Sequence, residues 1–283
     1  MRRILYTFFI IIMLSIGFLS SRALQSKDEI ELPIIMYHEV KYGKSGKDAI
    51  TPYEFESDLR FLQNNGFSPI TMTMLIDYVY DGQPLPDKPI IISFDDGYLN
   101  TYKYAFPIIK KYDMSMVLSI IGKSSDDFTQ SPSTSIDYSH VTWEQLSEML
   151  TSGLVEVQNH TYNLHRMKSP RGGRLGCMRK FGESEEEYEE ILKEDINKLQ
   201  RKLLPTTGCL PNTFTYPYGK YNSTSDSVIR KLGFKASLSC DFGINIITRD
   251  PECLYNLKRI GRPHGSPVSR VLKKAQDNMK WVR

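Results

Sequence analysis

The chain has 283 residues, 40% of them hydrophobic and 24% charged, with a formal net charge of +3. That length suits one large α/β domain or two small ones, and the composition is that of an ordinary globular protein. The small net charge, with no long Lys/Arg block, argues against a nucleic-acid surface.

Arg2 and Arg3 precede an uncharged stretch from Ile4 to Ser21. A positive start followed by an apolar core is the layout of an export signal. Ser21 and Ala23 are small residues where a signal peptidase reads. The stretch is long for a signal core and near the lower limit for a membrane span. Residues 1–24 are therefore expected to be a signal peptide or a membrane anchor, with the body exported. Residues 25–32 read as a polar linker, and 33–283 as one domain.

From Pro33 onward short apolar runs alternate with amphipathic segments. The expected strands are 34–37, 68–71, 90–94, 116–120, 154–158, 213–216, 235–238 and 257–260. Helix starts are marked by capping boxes at Thr51-Pro52-Tyr53-Glu54, Thr142-Trp143-Glu144-Gln145 and Ser184-Glu185-Glu186-Glu187. The first of these helices stops at Gly66, the second at Gly153, and the third runs to about Leu203. Residues 124–139 and 166–182 read as long loops. The second carries Arg166, Lys168, Arg171, Arg174, Arg179 and Lys180, either a solvated surface or a contact for an anionic polymer. Strand–helix alternation predicts a parallel sheet: a distorted (β/α) barrel of about seven strands, with a doubly wound open sheet as the alternative.

Three strand exits carry unusual chemistry. Ser93-Phe94-Asp95-Asp96-Gly97 places two adjacent carboxylates after the apolar run 89–92. Successive strand residues face opposite ways, so both can serve one site only if the chain has already turned. His160-Thr161-Tyr162-Asn163-Leu164-His165 follows the strand 154–158. Histidines five apart diverge on a helix and on a strand, so they meet only across a turn. Two imidazoles and one carboxylate make a facial set for a catalytic divalent metal. Phe214-Thr215-Tyr216-Pro217-Tyr218-Gly219 is a turn stiffened by Pro217, with Gly219 free to take an unusual φ. Such a turn can aim a backbone N–H at a substrate oxygen.

Together these exits resemble the polysaccharide deacetylases with a NodB-like domain, the family-four carbohydrate esterases, over roughly Pro33 to His264. The likeness of the first motif implies Asp95 as general base and Asp96 as metal ligand. The second motif implies His160 and His165 as ligands, and its five-residue spacing resembles the branch that deacetylates poly-N-acetylglucosamine. The third motif implies the backbone N–H of Tyr218 as an oxyanion donor. In it Thr215 stands where the family usually has Arg, so this motif brings no Arg to Asp95. The opening strand Pro33 to His38 also resembles the family. Leu257-Lys258-Arg259-Ile260 and Arg262-Pro263-His264 lie where the later motifs fall. They leave His264 as the candidate general acid, with His38 behind it.

The implied activity is that of an exported, metal-dependent hydrolase acting on N-acetylated cell-surface polysaccharide, of peptidoglycan or poly-N-acetylglucosamine type. Zinc is the expected metal, and the ligand set also accepts cobalt, nickel or iron. The expected form is a monomer, secreted or held at the outer face of the membrane. Two alternatives stand beside it: O-deacetylation of an esterified polysaccharide, and a non-catalytic glycan-binding module. Cys177, Cys209, Cys240 and Cys253 allow three disulfide pairings, and no C-x-x-C spacing suggests a thiolate metal site.

Overall fold

Seven strands follow one another around a closed parallel barrel in chain order: β1 (Ile34–Tyr37), β2 (Pro89–Phe94), β3 (Met116–Ile120), β4 (Val155–Asn159), β5 (Thr213–Thr215), β6 (Ala236–Phe242) and β7 (Leu257–Gly261). Closure comes from β1, which pairs with β7 through Ile35 and Met36 and with β2 through all four of its residues. The expected barrel is borne out, and the open sheet is not. The computed structural model describes residues 29–43, 46–167, 173–208 and 210–282. The expected signal or anchor at 1–24 lies outside them, as do Lys168, Arg171 and Cys209.

Among the described residues three details differ from the sequence reading. Ile30–Leu32, the end of the expected linker, is a strand paired antiparallel with Asn245–Ile247. The expected strand at 68–71 shrinks to Ser68–Pro69, which pairs with the start of β2 outside the closed circuit. Half of the expected loop 124–139 is helix, α4 below. The chain enters the barrel at the strands' N-terminal end.

The helices are α1 (Pro52–Asn64), α2 (Met72–Asp81), α3 (Phe106–Tyr112), α4 (Gly122–Gln130), α5 (Trp143–Thr151), α6 (Glu185–Thr207), α7 (Ser223–Lys231) and α8 (Val268–Val282). All three expected capping boxes form, at Thr51, Thr142 and Ser184. Helix α4 has no side-chain cap of its own. Its Asp126 instead accepts hydrogen bonds from Trp143 Nε1, Tyr162 Oη and Lys202, so distant residues hold it where local propensity does not.

Strand alternation sorts the core. Ile35, Ile92, Phe94, Leu118 and Ile120 pack outward against the helices. Ile34, Ile91, Val117, Leu238 and Leu257 belong to a second cluster that fills the barrel. One step further along, the filling becomes polar: Ser119 Oγ lies 2.7 Å from Thr215 Oγ1, across the intervening β4. The barrel interior thus grades from aliphatic to hydroxyl-lined toward the strands' C-terminal ends.

A second polar knot ties β1, α1, β7 and α8. Arg262 Nε donates to Asp58 Oδ2 at 2.6 Å with both side chains buried. Asp58 also accepts from Tyr37 Oη and from Val268 N–H at the start of α8. Removing one partner of such a buried pair typically costs about 3–5 kcal/mol.

Nearby Glu54 closes the Thr51 capping box and accepts from Gly265 N–H and His264. Burial works against its charge, but the Thr51 and Gly265 N–H groups and His264 prevail and hold the carboxyl down at about 2. A depressed carboxylate adds stability above its ordinary value of 4.5, and that stability is lost as pH falls toward 2. Thermal midpoints of the wild type should therefore fall more steeply over this window than those of Glu54→Gln. Parallel curves would show that Glu54 is not coupled to folding.

Candidate active site

The chemistry expected at three strand exits converges at the barrel's C-terminal mouth. Asp95 still follows the strand, its N–H bonded to Tyr37 O at 3.1 Å, and by alternation it faces inward as Ile91 and Ser93 do. Asp96 then turns left-handed, with φ 71°. This reversal brings a second carboxylate to the same mouth. Gly97 completes it, also left-handed and tight against Ile120, where an added Cβ would lie 3.0 Å from Cγ2.

The histidine segment uses the same device. Thr161 is left-handed (φ 71°), a costly state for a β-branched residue. Its surroundings enforce it: Thr161 N–H donates to Asn159 Oδ1, its Oγ1 accepts from Leu164 N–H, and its carbonyl accepts from Gly122 N–H. The turn lets two histidines five apart face one point. His160 Nε2 and His165 Nε2 lie 3.4 and 3.3 Å from the same oxygen, Asp96 Oδ1.

At the third exit Tyr218 is left-handed as well (φ 58°), and its ring lies 4.4 Å from that of His165. Gly219 cannot be replaced without rearrangement, because a Cβ there would stand 2.5 Å from the Cys240 backbone nitrogen.

Asp96, His160 and His165 offer three ligand atoms within 4.8 Å of one another. Two features show that this set fits a divalent cation. Asp96 Oδ1 is buried with no hydrogen-bond partner, although two imidazole nitrogens face it. His160 Nδ1 lies 2.7 Å from Thr215 O, a contact that holds a ring proton on Nδ1 and turns Nε2, the nitrogen that would ligate, toward Asp96. Burial opposes the charge of Asp96, but His160 and His165 hold its carboxyl well below the usual range. Burial and then the neighbouring His160 push His165 down to about 4, which keeps it neutral and able to ligate near pH 7.

Asp95 is held by Arg259, which the sequence placed in a late-motif segment but without a role. Arg259 Nη1 donates to Asp95 Oδ1 at 2.7 Å, and Arg259 Nε donates to Ser239 O at 2.6 Å. Its Nη2 lies 3.5 Å from Cys240 Sγ. The guanidinium is 1% exposed and lies inside the barrel. Burial would raise the Asp95 carboxyl, but the Arg259 charge outweighs it and keeps Asp95 below the usual carboxylate range.

The family model for polysaccharide deacetylases matches residues 82–237. The chain belongs to the polysaccharide deacetylase family. It is 27% identical over 199 residues to the poly-beta-1,6-N-acetyl-D-glucosamine N-deacetylase of Escherichia coli (strain K12), covering 65% of this chain and 30% of that relative's length. It is similar in structure to the de-N-acetylase from Aggregatibacter actinomycetemcomitans, at 25% identity and TM-score 0.70 over 81% of this chain and 94% of that one. It is also similar to IcaB from Ammonifex degensii, at 28% identity and TM-score 0.67 over 81% and 91%.

Other expected residues of this deacetylase-family chain fall further from the ligand cluster. His264 is half exposed and hydrogen-bonds Glu54 through Nδ1 at 2.8 Å. His38 is close enough to act electrostatically on both Asp95 and Asp96. In the basic loop Arg174 is buried against Glu183, and Arg179 pairs with Glu185, so neither is free for a polyanion. Cys177, Cys240 and Cys253 are free thiols. A cavity of about 240 Å³ lies at the opposite end of the barrel. Its Glu156 is engaged in accepting the Met72 and Thr73 N–H groups at the start of α2.

Replacing His165 with Ala should weaken zinc binding by at least about tenfold, measured by competition with a chelating dye. Unchanged affinity would remove His165 from the ligand set.

Proposed function

We propose that this protein is a metal-dependent hydrolase that removes N-acetyl groups from a cell-surface polysaccharide of poly-N-acetylglucosamine type. The observation that carries the reading is the pairing of an ionised, Arg-held Asp95 with a neighbouring carboxylate–imidazole–imidazole set. A binding module has no use for a buried base beside a metal site. The named activities of the similar proteins support the same reaction class.

The chemistry fits an amide carbonyl, which is a poor electrophile. Asp96, His160 and His165 would hold a divalent cation, zinc in our reading, which would supply Lewis acidity and make water more acidic. Asp95 accepts the proton of the attacking water. Arg259 keeps that carboxylate ionised and aimed at the mouth. The backbone N–H of Tyr218, turned by its left-handed conformation, donates to the oxygen that gains charge. The leaving amine needs a proton, and His38, within electrostatic reach of both carboxylates, is better placed to give it than His264, which is engaged with Glu54. The positive-then-apolar layout of residues 1–24 supports export, either cleaved or retained as an anchor.

Amine release from acetylated glucosamine polymers, with and without chelator, tests the reading. Release that stops with chelator and returns with zinc is expected. No release from any acetylated polymer by the zinc-loaded protein would favour the binding module. Asp95→Asn should keep its zinc and lose about 10²–10⁴-fold in turnover, and loss of the metal in that variant would overturn the division of roles. Arg259→Met should move the acid limb of the pH–rate profile to higher pH, because the carboxylate loses its counter-charge while burial remains. An unmoved limb would detach Arg259 from the base.

A further inference from the structure

Four rings run from the ligand cluster to the surface. Tyr98 stands two residues beyond Asp96 and pairs with His140 in an isolated antiparallel bridge. Its ring packs on His140 with centroids 4.7 Å apart and planes 30° apart. His140 stacks on Phe128 at 5.6 Å, and Phe128 meets Tyr138 at 6.2 Å. Tyr138 ends the row, 61% exposed.

The row is held rigidly. Leu99 N–H donates to Ser139 O at 2.8 Å, Val141 N–H donates to Gly97 O at 2.9 Å, and Asn100 Nδ2 donates to Ile136 O at 3.0 Å. The segment carrying Tyr138 and His140 is thus stitched to the segment that carries the two aspartates. Polar groups flank the outer end: the Asp137 carboxylate is largely exposed, and Lys41 Nζ lies 3.6 Å from it. A single exposed tyrosine means little by itself. This one terminates a preorganised row continuous with Asp96. A pyranose ring has an apolar C–H face and a hydroxyl rim, which match an aromatic face with a carboxylate beside it.

We propose that the row Tyr98–His140–Phe128–Tyr138 is a glycan subsite, in which the sugar next to the one being deacetylated lies along the row and against the exposed ring of Tyr138. The inference rests on the deacetylase reading and adds which surface of this chain holds the neighbouring sugar of the polymer. The full chain loaded with zinc is assayed on N-acetylglucosamine and on its β-1,6-linked oligomers of increasing length. Tyr138→Ala should raise KM for the long oligomers about tenfold with kcat retained, the order of loss for one aromatic contact. Its KM for the monosaccharide should not change, and Tyr138→Phe should behave as the wild type. An identical dependence of KM on length in the wild type and Tyr138→Ala would overturn the subsite. If the wild type releases no amine from any oligomer, the deacetylase reading fails, and calorimetric titration of the same oligomers still decides the subsite. Weaker binding by Tyr138→Ala supports it; equal binding, or none by either protein, overturns it.

Discussion

A guanidinium sealed inside a barrel sets the terms for the chemistry at its mouth. Arg259 is buried on β7, and Asp95 is buried at the end of β2, with β1 between those strands. The pair therefore spans the interior rather than lying along one sheet face. A lone charge at either position would be strongly destabilising, whereas together they keep a carboxylate ionised in a place where burial alone would neutralise it. That ionised state is what a base needs before it can accept a proton. The same contact ties the two strands that flank β1, so the proposed base and the closed barrel share one interaction.

Around this pair, backbone strain does the positioning. Asp96, Thr161 and Tyr218 are non-glycine residues with positive φ, and each stands at a different strand exit. In each case the reversal turns a strand's alternating side chains toward one point. The cost is met locally: three hydrogen bonds fix Thr161, Gly97 follows Asp96, and Pro217 and Gly219 bracket Tyr218. The consequence is a buried Asp96 oxygen that faces two imidazole nitrogens, a donor set that suits a divalent cation.

Much of this was legible in the chain itself. The carboxylate pair and the two histidines stand where apolar runs end, and strand ends are where parallel α/β folds place chemistry. Capping boxes at Thr51, Thr142 and Ser184 marked three helices because a cap is a local hydrogen-bond pattern. Helix α4 was not legible, since Asp126 is bonded by side chains from α5, α6 and the histidine loop. Arg259 was hidden for a related reason. The sequence places Lys258 and Arg259 on a short strand without giving either a role, and only alternation within a closed barrel sends Arg259 inward.

The sequence by itself determined which residues are candidates for the chemistry, where the strands and capped helices begin, and that the chain needs turns after Asp95 and His160. These are matters of periodicity, local hydrogen bonding and neighbouring residue types. The tertiary structure alone decided that Arg259 meets Asp95, that His264 is engaged with Glu54, and that a row of rings leads outward from Asp96. Each joins segments far apart in the chain, and their contact depends on barrel closure and loop packing, which no local pattern encodes.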